Sequence, residues 1–163
     1  MKVRVSFAAL LAAFVLWTEP LGANDTSRYV GAAKCGSCHE AEYQKWLAGP
    51  HAKAHKSLTS EQLADSKCNT CHTLVPFNTD KRFLGVQCEQ CHGGGKVYHK
   101  EYVMRDKELA RAVGLVVPKA ADCQTCHTAD SPNIKPFNYD ELWMRIAHGA
   151  SAAAHGKSAS IKP

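Results

Sequence analysis

All eight cysteines of this 163-residue chain fall into four copies of one pattern, Cys-x-x-Cys-His. They run from Cys35 to His39, Cys68 to His72, Cys88 to His92 and Cys123 to His127. Thiols at that spacing add across the two vinyl groups of a haem, and the adjacent histidine ligates the iron. Four repeats predict four covalently attached haem c groups, bonded at Cys35, Cys38, Cys68, Cys71, Cys88, Cys91, Cys123 and Cys126. His39, His72, His92 and His127 become the proximal iron ligands. Zinc sites and redox dithiols also use Cys-x-x-Cys, but neither needs a histidine after every pair. A disulfide framework staples distant segments instead of repeating one short loop. The chain is a scaffold, and its chemistry is that of its cofactors.

The second axial ligand decides between electron carriage and catalysis, because a filled sixth position leaves no room for a substrate. Five histidines lie outside the motifs: His51, His55, His99, His148 and His155. His51 and His55 are four residues apart and share one side of a helix, so they can serve neighbouring haems. His99 follows the Gly93-Gly94-Gly95 triplet, and His148 ends an apolar stripe. These four are the candidate sixth ligands, whereas His155 sits in a small, polar, basic stretch and reads as solvated. Met104 and Met144 are rivals that would raise the potential of any haem they ligated, although Met144 reads as a core residue.

Several elements must position these groups. Lys2 and Arg4 precede an apolar run of 13 residues, Val5 to Trp17, and Leu21-Gly22-Ala23 resembles a cleavage site. Residues 1–23 therefore read as a secretory leader, too short to span a bilayer. Residues 24–150 form the haem domain and 151–163 a tail. Export predicts a periplasmic location with no transmembrane anchor after cleavage. About 140 residues remain, roughly 35 per haem, too few for an ordinary side-chain core. A domain of that size has a radius of gyration of about 14 Å, so the haems themselves must be the packed interior. Without Lys2, Arg4 and Glu19 the chain keeps 18 basic and 14 acidic residues. Haem propionates and ferric cores bring that balance to roughly neutral, which gives no reason to expect a nucleic-acid partner.

The fold class expected is mainly α with extensive loops, a compact multihaem c-type cytochrome built around four stacked haems. Helices are expected at Glu40 to Leu47, before the Gly49-Pro50 stop, and at His51 to Leu58, with a restart at the Thr59/Gln62 capping pair. Others are expected at Asp106 to Val113 and from Asn138 to His148, where Leu142, Trp143, Ile146 and Ala147 make an apolar stripe. Thr73 to Gln87 should be loop, and Leu115 to Val117 is the strongest strand signal. Tyr43, Trp46 and Trp143 are expected against haem faces. The glycine triplet suits close backbone approach to a porphyrin.

The stretch YVGAAKCGSCHEAEYQKWLAGPHAKAH, then CNTCH and GVQCEQCHGGG, resembles the tetrahaem cytochrome c-554 family over about residues 29 to 148. The resemblance implies a helical periplasmic electron carrier with closely stacked haems. It implies that His99 caps the first haem, His51 the third and His148 the fourth. In that family the second haem lacks a sixth protein ligand, whereas this chain has His55 nearby. The function expected is electron transfer between a periplasmic donor and acceptor, not enzymatic catalysis. Two other readings stay open: a nitrogen-oxide or peroxide reductase using an open second haem, and a subunit of a conductive filament.

Overall fold

Residues 25–128 and 137–149 are described by a computed structural model. The expected leader, His155 and the tail lie outside the described residues. The architecture is mainly helical, with short helices joined by loops and no sheet among the described residues. α1 (Ala32–Gly36) carries Cys35 and begins at Gly31, whose φ of 83° suits glycine. α2 (Glu40–Ala48) has Glu40 and Glu42 in its first turn and Lys45 in its last, matching the helix dipole. It ends at Gly49, as expected. The next expected α-helix is a 3-10 helix, His51–Ser57.

α3 (Ser60–Leu63) opens with the expected Thr59–Gln62 capping box. α4 (Ser66–His72) is capped by the Asp65 carboxylate and holds the second motif. The connection after it is loop as expected, with a single 3-10 turn at Lys81–Phe83 and isolated bridges from Thr73 to Leu84 and Gly85. α5 (Cys88–His92) is the third motif itself. α6 (Glu101–Met104) and α7 (Lys107–Ala112) follow, and Asp106 caps α7. α8 (Ala120–Cys123) enters the fourth motif, and α9 (Tyr139–Ile146) is capped by Asn138.

The strand signal at Leu115 to Val117 is overturned: these residues carry no regular structure. Their backbone is used elsewhere, since Val116 donates to His92 O at 2.9 Å and accepts from the His92 ring at 3.0 Å.

The polypeptide core is small and split. Leu74, Val75 and Phe83 form one buried cluster beside Tyr29, and Tyr98, Val103 and Ala110 form another. Met104 packs against the second cluster. Within α9 Trp143 is buried, whereas Met144 is 55% exposed, which corrects its expected core role. Successive helix positions point about 100° apart, so the face that buries Trp143 turns Met144 outward. Buried side chains contribute about 1.5–3 kcal/mol each, so two three-residue clusters cannot order this much chain alone.

Candidate haem sites

Each motif is wound as a single helical turn. His39 N donates to Cys35 O at 2.9 Å and His127 N to Cys123 O at 2.9 Å. The second and third motifs lie wholly within α4 and α5. Helical spacing puts both thiols of a pair on one face, with the histidine directly after. All eight thiols are free. Their neighbours cross between motifs. Cys35 and Cys88 hydrogen-bond to one another, which lowers the first thiol and raises the second. Burial, then Cys126, pushes Cys71 up to about 11. Burial, then Cys123, pushes Cys91 up to about 11. The first and third motifs, the third and fourth, and the fourth and second thus perturb one another's thiols.

The imidazoles are held in one tautomer. His72 Nδ1 lies 2.7 Å from Ala54 O, His92 Nδ1 3.0 Å from Val116 O, His99 Nδ1 2.8 Å from Gly95 O and His148 Nδ1 2.9 Å from Ile146 O. A carbonyl oxygen only accepts, so Nδ1 must carry the proton and Nε2 keeps its lone pair. That is the arrangement of a metal-ligating histidine oriented by backbone. Burial also lowers His51, His92 and His127, which favours the neutral, ligating form.

Two pairs of rings face one another. His51 and His127 have centroids 6.1 Å apart, and His92 and His148 5.8 Å apart. Metal–imidazole bonds of about 2.0 Å place two rings on opposite sides of one ion at a centroid separation of roughly 6 Å. The residues therefore fit haem ligation. Among the described residues no three His, Cys, Asp or Glu side chains converge to chelate a bare metal ion, so a structural zinc has no site there. The neighbours differ from the assignment implied by resemblance: His51 lies against the fourth-motif histidine, and His148 against the third. The reason is local. Lys45 Nζ donates to Ala147 O at 2.5 Å, tying the end of α9 to α2, and the adjacent His148 then meets α5.

His55 is half-buried, lowered by burial and then by Lys56, and its Nδ1 is buried without a hydrogen-bond partner. His72, on the second motif, backs onto the same 3-10 segment through Ala54 O and, at 3.3 Å, Ser57 Oγ. The glycine triplet does serve close approach, but to polypeptide. A Cβ on Gly94 would stand 2.7 Å from Arg28 O, and one on Gly95 2.9 Å from Glu89 Oε1. Tyr43 packs so tightly on α1 that a Cβ on Gly36 would lie 2.7 Å from its ring. Trp46 donates from its indole to Val86 O at 2.7 Å.

Sequence reasoning missed the polar residues inside and before the third motif. Gln87 and Glu89 are buried. Gln87 Oε1 accepts from Ala32 N at 2.7 Å, and its amide donates to Arg82 O and Leu84 O. The Gln90 amide donates to Thr70 O and Thr73 O of the second motif region. Asn69, also buried, donates to Leu63 O. The available signal was a run of long polar side chains, Gln87, Glu89 and Gln90, around one Cys-x-x-Cys-His pair.

A family model described as cytochrome c3 matches residues 60–138. Cytochrome c-554 of Nitrosomonas europaea is 27% identical over 126 residues, covering 63% of this chain and 54% of that protein. The chain thus spans about half the length of the curated relative it matches. The solved structure of cytochrome c554 in its reduced state, from the same organism, aligns with a TM-score of 0.51 and 22% identity. It covers 82% of this chain and 83% of that one, and the likeness shows a shared, mainly helical fold. Among the described residues no helix is long and apolar enough to cross a membrane.

Proposed function

We propose, for a chain homologous to the tetrahaem c-type cytochrome c-554, an electron carrier that passes electrons between periplasmic redox proteins through four haem c groups. Bound haem supplies the one-electron ferric–ferrous couple. The protein's part is attachment, orientation and crowding. Cys35/Cys38, Cys68/Cys71, Cys88/Cys91 and Cys123/Cys126 hold the four groups, and His39, His72, His92 and His127 ligate them. His51 completes the His127 site, His148 completes the His92 site, and His99, following the family resemblance, completes the His39 site.

The observation that carries this reading is the two pairs of neighbouring imidazoles, with centroids 6.1 and 5.8 Å apart. Two neutral imidazoles on one iron leave it no vacant position, which suits transfer rather than substrate chemistry. The mutual influence of thiols from different motifs supports a route ordered first, third, fourth, second. Tyr43, Trp46 and Trp143 are proposed to pack on haem faces. Intact mass of exported protein should show four added haems. Electron paramagnetic resonance of the oxidised form should show low-spin signals for the His39, His92 and His127 sites. A mass without four haems, or high-spin iron at those three sites, would end the proposal.

The second motif favours a separate reading of its own haem. The Nδ1 edge of a ligating imidazole points away from the iron, and that edge of His72 rests on Ala54 O. The 51–57 segment, with His55, therefore lies on the proximal side, badly placed to supply a ligand from the opposite face. We read the second haem as five-coordinate, open to a small ligand such as nitric oxide, and His55 as a packing neighbour. One high-spin ferric signal per molecule, lost on nitric oxide binding and unchanged in His55→Ala, is expected. A fully low-spin wild-type protein would return His55 to the ligand set.

A further inference from the structure

The side chain of Glu89 has no part in attachment or ligation, yet it is 2% exposed. Its carboxylate accepts from Val30 N at 3.0 and 3.2 Å, from Gly31 N at 2.8 Å and from Gly95 N at 2.7 Å. Oε1 accepts from Val30 and Gly95, and Oε2 from Val30 and Gly31. The ion pairs among the described residues involve Asp80, Glu101 and Glu141 instead. A charge at this depth is weakly screened by solvent and salt, so it acts on its neighbours more strongly than surface carboxylates do.

Its position is specific. Glu89 follows Cys88 inside the third motif, and Gly31 N–H, which it holds, opens the helix that carries Cys35. Cys35 and Cys88 are themselves in hydrogen-bonding contact. The carboxylate is therefore lodged where the first and third attachment points meet. Its field is felt locally: the Tyr98 hydroxyl is pushed up by burial and then by Glu89. Reduction adds one negative charge to an iron, so a fixed anion nearby disfavours it.

We propose that Glu89 sets reduction potential: its buried carboxylate holds the haems of the first and third motifs at lower potential than they would have without it. The four N–H contacts keep the charge in place, and the second and fourth haems stay outside its range. The effect biases electrons toward the fourth and second sites, giving the route a direction. This rests on the four-haem reading, and intact mass of the wild-type protein tests that reading separately.

The test is a spectroscopic potentiometric titration of matured holoprotein, with haems assigned through the signals of their axial histidines. Glu89→Gln and Glu89→Met remove the charge with different packing, and Glu89→Asp keeps it. In either neutral variant the reduction equilibrium of the first and third haems should rise about tenfold, equivalent to about 59 mV for one electron. The second and fourth should change by less than about threefold, and Glu89→Asp should stay near wild type. Equal shifts at all four haems, no shift, or an Asp variant matching the neutral ones would overturn the proposal. So would failure of both neutral variants to mature while Asp does, since Glu89 would then be a folding clamp only.

Discussion

Ligand and packing residues separate cleanly at His148. It is exposed on the polypeptide, and its Nδ1 contact is to Ile146 O, two residues away. If His148 completes the His92 site, His148→Ala adds one high-spin haem per molecule to the oxidised electron paramagnetic resonance spectrum. His51→Ala does the same at the His127 site, and the double variant adds two. Unchanged spectra would remove both from the ligand set. The proximal and distal rings also fix a pH response. Burial lowers His51, His92 and His127, and iron ligation would also require them neutral, so the folded state takes up fewer protons than the unfolded chain. Stability is fully present above the unfolded histidine value of about 6.5 and is lost as pH falls below it. Denaturant midpoints followed by circular dichroism should be level from about pH 7 to 8 and fall below about pH 6. A midpoint that rises on acidification would contradict this sign.

At the level of elements, the 3-10 segment His51–Ser57 shows what local sequence could and could not specify. Its start after Pro50 and the following Thr59–Gln62 capping box were readable, because both are short-range chemistry. Its winding was not. Val86 N takes the His51 carbonyl at 2.9 Å, from 35 positions away, so that carbonyl is spent outside the helix. Gly85 makes this approach possible: its φ is 84°, and a Cβ there would stand 2.6 Å from Ala52 O. Gly85→Ala combines backbone strain with a backbone clash, and a loss of about 2–4 kcal/mol is expected. Because His51 rides on this segment, the same variant should weaken the low-spin signal of the His127 site. A melting temperature within error of wild type would show that the contact is soft. The four motif helices escaped periodicity for a simpler reason. One turn is too short to carry a hydrophobic stripe, and only the ligand spacing marked them.

Across the whole molecule, the expected haem-to-residue ratio comes from length and motif count, and the eight candidate attachment cysteines from their spacing. The order in space does not, since it depends on side chains that look unremarkable in sequence. The third motif is the centre of that order. Glu89 holds Val30, Gly31 and Gly95; Gln87 holds Ala32, Arg82 and Leu84; Gln90 reaches Thr70 and Thr73; and His92 bonds Val116. Among the described residues, hydrogen bonds around the fourth motif include Asp122 accepting from Lys119 and Thr125 donating to Asp122, both within a few positions. Removing the fourth attachment pair, Cys123→Ser with Cys126→Ser, should yield a protein with three haems and the other spectra intact. Its melting point should fall by no more than about 10 °C, since a 1 kcal/mol loss moves a small domain by about 4–8 °C. The same change at Cys88 and Cys91 leaves the hub without the group packed on it. It should give fewer than three haems by intact mass, because the first and second motifs lose the element that positions them. Equal haem loss from the two variants would place the organising centre elsewhere in the chain.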